Sequence, residues 1–252
     1  VRCCNFVLLF LKLVCMKRNV ITSVFVFCSM VLSVSCKTDK NVEVGSSSAA
    51  AELQKGLKGT YEELFSENTL LNAKWDAYWL SECENAVGKD AAPTTVSMLK
   101  HSMTGTLTGD AATEVFGDGS DGWQNGFEFN CDFKHGVDRF VFDGKGRIKG
   151  LDSSGAVIFS HKYVFDGYNT DYDFYFFKSE DNNEDEFSCF AIRSDTPKTT
   201  HHIEFRYGTD KKSLSEFCIG KYAYWMAAGV LLNSETEQAE SIRIFVKENC
   251  GV

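Results

Sequence analysis

The residues best able to carry chemistry lie in residues 195–208, the segment DTPKTTHHIEFRYG. From Thr200 onwards polar and apolar residues alternate, as they do along a β-strand with one buried face. The alternation places His202, Glu204 and Arg206 on one face and His201, Ile203, Phe205 and Tyr207 on the other. An imidazole and a carboxylate two residues apart can reach one divalent ion, so the first face is a candidate metal site. The alternative is a half-buried strand with a hydrated His/Glu/Arg face and an apolar core face.

This strand needs a sheet, and period-two alternation predicts further short strands throughout residues 103–207. Segments rich in glycine and aspartate separate many of them, as hairpin turns do. Strands at such spacing predict a small closed β-barrel of eight or nine antiparallel strands. The candidates are Met103–Thr108, Thr113–Phe116, Gly126–Phe133, Val137–Phe142, Arg147–Leu151, Ala156–Phe165, Tyr172–Phe177, Phe187–Arg193 and Thr200–Tyr207.

Helices are predicted ahead of these strands. Ala49–Lys58 has a helical pattern, and Thr60–Glu63 is typical of a capping box that opens another short helix. Trp75 and Trp79 indicate either one face of a helix or an aromatic plug at the mouth of a barrel. Thr95–His101 also has a helical pattern.

The end of the chain predicts one more helix. Ser234–Glu237 form a second capping box, which leads a helix to Gly251. Cys250 lies at the end of that helix, and we expect it to staple the helix to a partner that the sequence leaves open. Five cysteines follow Cys36, so at most two disulfides can form among them, and none belongs to a Cys-x-x-Cys motif. They are Cys83, Cys131, Cys189, Cys218 and Cys250.

The first 35 residues are typical of an export signal. Residues 16–19 supply a charged beginning and Val20–Leu32 an apolar segment, followed by small residues ahead of Cys36. This order resembles a bacterial lipoprotein signal in which Cys36 is lipidated, with residues 1–15 as an upstream extension. The alternative is a transmembrane anchor, although the apolar run is short for a span of about 20 residues. We therefore expect a signal region over 1–35, a flexible tether over 36–55 and a folded domain over 56–252.

Charge limits the partners of that domain. The chain has a net charge of −9, and its first 35 residues contain four basic residues and no acidic one. The remainder is therefore more acidic still, which is unfavourable for nucleic-acid binding and favourable for attracting cations.

Three segments in this order are similar to motifs of one family: WDAYWLS at 75–81, KYVFDGY at 162–168 and PKTTHHIEFRYGTD at 197–210. They resemble the ZinT (YodA-type) zinc-binding domain, and the resemblance covers about Gly59–Glu248. It implies a mainly β, lipocalin-like (calycin) antiparallel β-barrel with flanking α-helices and with zinc bound inside the barrel.

The resemblance also implies a ligand set, which this chain keeps only in part. The family holds zinc with a His-x-His pair and one earlier histidine, and the matching positions here are His202, Glu204 and Arg193. His202 and Glu204 are therefore candidate ligands, with His201, Cys189 or an acid near the N-terminus completing the site. Arginine cannot ligate zinc because it keeps its proton and only donates hydrogen bonds. An Arg193–Glu204 ion pair is thus a candidate replacement for the metal.

Two functional hypotheses follow. The first is an extracytoplasmic lipoprotein of the bacterial cell envelope, on the periplasmic or cell-surface side, held to the membrane by lipid on Cys36. It would bind zinc, or another divalent metal, for buffering or for delivery to a metal-uptake transporter. The second is a calycin barrel that has lost its metal site and binds an apolar small molecule or acts as a surface interaction protein. The sequence shows no nucleophile elbow, P-loop or zinc-protease helix, so we do not expect an enzyme.

Lipidation of Cys36 can be tested by substitution. In bacteria fed a fatty-acid analogue, Cys36→Ala should lose the acyl label and either leave the membrane fraction or remain unprocessed, because the acceptor thiol is gone. Cys28→Ala, within the apolar segment, is the matched control and should stay labelled. Equal labelling of wild type and Cys36→Ala would show that the assignment is wrong.

Overall fold

The computed structural model describes residues 44–102, 133, 135–171, 173–181, 184–217 and 227–251. The signal region, Cys36 and the candidate strands within residues 103–132 lie outside these residues, as do Cys131 and Cys218. No helix of the described part is both long and apolar enough to cross a bilayer.

Eight antiparallel strands form a closed barrel in which each strand pairs with the next and the last pairs with the first. This confirms the predicted mainly β antiparallel barrel with flanking helices. Six predicted strands correspond to the second to seventh strands of the barrel. In chain order the strands are β1 (Gly59–Glu63), β2 (Arg139–Phe142), β3 (Arg147–Leu151), β4 (Val157–Asn169), β5 (Phe174–Ser179), β6 (Cys189–Arg193), β7 (Ile203–Gly208) and β8 (Ala227–Leu231).

The first strand shows that one prediction was wrong. Thr60–Glu63 was expected to open a helix, but it lies in β1, which pairs with β2 on one side and β8 on the other. Tyr61 is buried in this strand against the ring of Phe142. Pairing on both sides and burial of an aromatic ring outweigh a local capping pattern, because strand preference depends on the tertiary surroundings.

Five α-helices accompany the barrel in the described residues: α1 (Ser47–Gly56), α2 (Asp76–Val87), α3 (Ala92–Ser102), α4 (Lys211–Phe217) and α5 (Glu235–Cys250). The predicted capping of α5 is confirmed, since the Ser234 hydroxyl accepts from the Glu237 amide and Gly251 adopts a left-handed conformation after the helix.

The expected flexible tether over 36–55 does not reach its predicted end. From Ser47 onward it is α1, capped by the Ser46 hydroxyl, which accepts from the Ala49 amide. Ala50 and Leu53 of this helix are buried in the barrel cluster. The helix agrees with the helical pattern predicted for Ala49–Lys58, and burial of its apolar face against the barrel stabilises it.

Aromatic side chains fill the barrel. The strand residues of this buried cluster are Tyr61, Phe140, Phe142, Ile148, Phe159, Tyr163, Tyr175, Phe177, Phe190, Ile192, Ile203 and Phe205, with Ala227 and Leu231 of β8 packed against them. Because all eight strands contribute, this cluster is the barrel interior. Strand side chains alternate, so the residues between these positions face outward.

A second cluster lies where α2, α3 and α5 pack on the outer face of β8, which contributes Ala228 and Val230. Trp79 is fully buried there, and its indole N–H donates to the Leu70 carbonyl at 2.8 Å. Its ring meets that of Phe245 edge-on at 6.1 Å. Trp79 therefore belongs to a helix face and not to a plug at the barrel mouth.

The close packing of β3 on β4 gives a test of the barrel. A methyl group at Gly150 would lie 2.7 Å from Cδ1 of Phe159 and 3.1 Å from a methyl of Val137. Gly150→Ala should therefore lower the free energy of unfolding by about 1–3 kcal/mol, because the Phe159 ring must move within a packed interior. Urea unfolding measures the change.

Gly56→Ala is the matched control, because a methyl group there meets no atom within 4 Å and Gly56 is the last residue of α1. It should be neutral or slightly stabilising. Equal stability of the two variants would contradict the described packing of β3 against β4.

Candidate functional site

The candidate ligands sit at the start of β7, on the outer side of the barrel. Ile203 and Phe205 are fully buried in the interior cluster, so Glu204 between them faces outward, as the sequence alternation predicts. The family resemblance implies a site inside the barrel. In this chain the interior at β7 is occupied by Ile203 and Phe205, which leaves the outer face for the polar side chains.

His202 is held in a defined orientation beside Glu204. Its Nδ1 lies 2.6 Å from the Thr200 carbonyl oxygen, and because a carbonyl only accepts, Nδ1 carries a proton and donates. The other ring nitrogen, Nε2, lies 3.4 Å from Oε1 of Glu204. The two side chains are only 13% and 15% exposed. The backbone thus fixes which nitrogen of His202 faces the carboxylate.

Arg193 reaches the same carboxylate from the neighbouring strand. Ile192 of β6 pairs with Phe205 of β7, which brings Arg193 beside Glu204. The Nε atom of Arg193 lies 3.1 Å from Oε2 of Glu204, so the structure contains the predicted ion pair. The guanidinium also lies over the ring of Phe174, at 5.0 Å. Glu204 therefore has a histidine on one oxygen and an arginine on the other.

These contacts shift the pKa values of Glu204 and His202. Burial raises the pKa of Glu204, but the hydrogen bond and charge of His202 and the charge of Arg193 outweigh it and hold the pKa at about 2. Burial lowers the pKa of His202, but Glu204 and the Thr200 carbonyl outweigh that effect and raise it above its ordinary value. The pair is thus stabilised in its charged form.

Asp195 is a third acidic group that the sequence reasoning did not select. Burial and the charge of Glu204 raise its pKa, whereas Arg193 lowers it. One of its carboxylate oxygens is buried without a hydrogen-bond partner among the described residues. A signal was available, because Asp195 follows Arg193 by two residues and such residues share a side in extended chain.

His201 and Cys189 are placed elsewhere. His201 has a left-handed backbone conformation, and its Nδ1 pairs with Oε2 of Glu237 in α5 at 2.7 Å. Cys189 lies at the opposite end of β6 from Arg193, in an apolar cluster. In the part of the chain that the structure describes, no group of three or more His, Cys, Asp or Glu side chains is arranged to hold a metal ion. Neither residue therefore completes a three-ligand site with His202 and Glu204.

A second histidine contact, also not anticipated from the sequence, lies between β4 and the β5–β6 connection. The Nδ1 and Nε2 atoms of His161 lie 2.9 Å from Asp181 and 3.2 Å from Asp185. The two carboxylates lie at the two different ring nitrogens, so the three groups do not converge on one point as the ligands of a metal ion would. The acidic run over 180–186, interpreted as a turn, was the available signal.

Two solved structures from Streptococcus pneumoniae resemble this fold. The Zn(II)-bound ZinT-like domain of AdcA matches with a TM-score of 0.42 and 10% identity, over 78% of this chain and 89% of that one. Zn(II)-bound AdcA matches with a TM-score of 0.41 and 9% identity, over 75% of this chain. The present chain spans only 34% of AdcA. No family model and no curated protein matches.

One of these two structures is a ZinT-like domain, the kind of domain that the three sequence segments resemble. The bound zinc is a property of those two proteins.

The low pKa of Glu204 predicts a pH dependence. Its ionised form stabilises the fold above the pKa of an unfolded glutamate, about 4.3, and this contribution is lost as the pH falls towards 2. Wild-type stability should therefore fall more steeply than that of Glu204→Gln between about pH 5 and pH 3. Urea unfolding across this range provides the measurement.

Glu235→Gln is the matched control, because Glu235 is exposed in its contact with Lys74. That variant should keep the wild-type slope. Parallel stability curves for wild type and Glu204→Gln would contradict the described burial and pairing of Glu204.

Proposed function

We propose that this chain is an extracytoplasmic lipoprotein that binds a divalent metal, zinc in the first place, at His202 and Glu204. The observation that carries the proposal is the 3.4 Å separation of His202 Nε2 and Glu204 Oε1, with the other ring nitrogen fixed by Thr200.

The separation fits two ligands of one ion. Normal N–H···O hydrogen bonds measure about 2.7–3.2 Å, so the hydrogen bond between His202 and Glu204, at 3.4 Å, is a long one. Two ligand atoms about 2.0–2.1 Å from a zinc ion and related by the tetrahedral angle are about 3.4 Å apart. The two atoms thus already have the spacing that coordination of one ion requires.

The orientation of His202 fits as well. A ligating histidine usually donates its second ring N–H to a carbonyl or carboxylate, which fixes the tautomer and aims the lone pair at the metal. The Thr200 carbonyl has this relation to Nδ1 of His202. In the neutral ring the lone pair is then on Nε2, the nitrogen that faces Glu204.

Arg193 opposes the metal. Its guanidinium shares the Glu204 carboxylate and adds a positive charge beside the place where a cation would bind. A bound ion must therefore weaken the Arg193–Glu204 pair. Arg193 keeps two other favourable neighbours, the ring of Phe174 and the charge of Asp195. We expect weak, readily reversible zinc binding rather than the tight binding of a three-histidine site.

Weak binding by two side chains suits a carrier. Zinc in proteins is almost always four-coordinate in structural sites, so two protein ligands leave positions for water or for a group of another protein. Such an ion can be passed on without unfolding the carrier. This is the chemistry expected of a protein that buffers zinc or delivers it to a metal-uptake transporter.

The proposed location in the cell envelope follows from the sequence of the first 36 residues. The charged and apolar segments ahead of Cys36 and the small residues next to it support export and lipid attachment in the bacterial cell envelope. The acidic remainder of the chain favours cations over nucleic acid.

The described residues favour this hypothesis over an apolar ligand inside the barrel. Most interior positions of the eight strands carry large aromatic or aliphatic side chains, and these are in mutual contact. Such packing occupies the volume in which a calycin barrel holds a small molecule.

Zinc titration of the full chain in detergent tests the site. His202→Ala should weaken zinc binding at least about tenfold because it removes the imidazole, and Arg193→His should tighten it by a similar factor because a ligand replaces a cation. Binding should also weaken as the pH falls below the raised pKa of His202, because only the neutral ring coordinates. Competition with a chromophoric chelator gives the dissociation constants.

His135→Ala is the control, because this exposed histidine pairs with Glu186 and lies outside the candidate site. It should bind zinc as the wild type does. Equally weak binding by wild type, His202→Ala and Arg193→His would end the metal hypothesis for this site.

A further inference from the structure

Two cysteines of the described chain belong to the same buried cluster on different helices. Cys83 of α2 is fully buried, and Cys250, the last residue of α5, packs against the same cluster with part of its surface exposed. Both are free thiols in the structure. Cys189 lies apart from them, in the cluster that includes Phe174 and Leu214.

The packing of α2 and α5 sets their relative register. At the beginning of α2, the Trp75 indole N–H donates to Oε1 of Gln238 at 2.9 Å. One turn further along α2, and about two turns further along α5, the Trp79 ring meets the Phe245 ring at 6.1 Å. Both helices therefore advance in the same direction along their contact.

The next turn of each helix carries a cysteine. Cys83 follows Trp79 by four residues, which places both on one face of α2. Cys250 follows the buried Val246 by four residues, which places both on one face of α5 about one turn apart. The register set by the hydrogen bond and the ring contact thus brings Cys83 and Cys250 to about the same level.

The electrostatics of the thiols agree with this placement. Burial raises the pKa of Cys83 to about 12, and the charge of Cys250 adds to the effect. The influence of one thiolate on another weakens with distance, so it agrees with the placement that the helix packing gives.

We propose that Cys83 and Cys250 form a disulfide that joins α2 to α5. Two S–H bonds break and one S–S bond forms, and the two electrons and two protons reduce a disulfide oxidant to two thiols. Cys250, the more exposed thiol, attacks the oxidant first, and Cys83 then displaces the oxidant from the mixed disulfide. Both thiols have raised pKa values, so the reaction should become faster as the pH rises.

The bridge would fix the helix that borders the candidate site. Besides its contact with Trp75, α5 carries Glu237, which pairs with His201. The inference is independent of metal binding, because it follows only from the contact between α2 and α5.

Oxidised glutathione is the probe, applied to the reduced full chain in detergent with a chelator present to remove metal. After alkylation of the remaining thiols and proteolysis, mass spectrometry should find the Cys83 and Cys250 peptides linked to each other until they are reduced. The bridge closes a large loop, so oxidation should raise the melting temperature by about 5–10 °C.

Cysteine variants show which thiols form the bridge. Cys83→Ala and Cys250→Ala should each abolish the linked peptide and the rise in melting temperature on oxidation, whereas the control Cys189→Ala should keep both. The proposal is overturned if Cys83 and Cys250 are recovered as alkylated thiols after oxidation. It is equally overturned if either links to Cys131 or Cys218, or if Cys250→Ala shows the wild-type rise in melting temperature.

Discussion

The packing of Ile203 and Phe205 into the aromatic interior is the constraint on which the rest of this structure depends. Both side chains are fully buried, and a shift of β7 by one residue would bring Glu204 into their place. An unpaired carboxylate among aromatic rings would be strongly unfavourable. The register of β7 is therefore firmly set, and with it the outward direction of Glu204 and its position beside Arg193 of β6. The polar site is a consequence of how the apolar interior is packed.

The same reasoning explains what the sequence could and could not predict. The alternation around Ile203 and Phe205 is a local signal that burial enforces, so the strand and its two faces were predictable. Thr60–Glu63 was not, because its strand conformation depends on pairing with β2 and β8, which are distant in sequence. The Arg193–Glu204 pair was predictable from the family resemblance. The surroundings of Asp195 and His161 depend on which charged groups the fold brings near them. The spacing of Asp195 from Arg193 and the acidic run over 180–186 were the available signals, but neither identifies the partners.

The charges at the site explain how Glu204 can be largely buried on the outer face of β7. Burying Glu204 alone would be unfavourable, but His202 and Arg193 each neutralise part of its charge and lower its pKa to about 2. Towards a metal ion, His202 and Arg193 have opposite effects, because one favours its binding and the other opposes it. His202 offers a lone pair once it is neutral, whereas Arg193 can only compete for the carboxylate. Arg193 therefore stabilises the buried Glu204 carboxylate but lowers its affinity for a metal ion.

Helix α5 lies close to the polar site. The helix reaches this region at two points, since Glu237 pairs with His201 and the charge of Glu248 contributes to the raised pKa of His202. On the strand side, Glu204 is opposite Ala228 of β8, which is buried in the cluster that α5 shares. Glu204 thus lies on the outer face of the barrel, on the side where α5 packs against β8. If this face binds a metal as proposed, the packing of α5 bears on the chemistry of the site, because two of its carboxylates already act on His201 and His202.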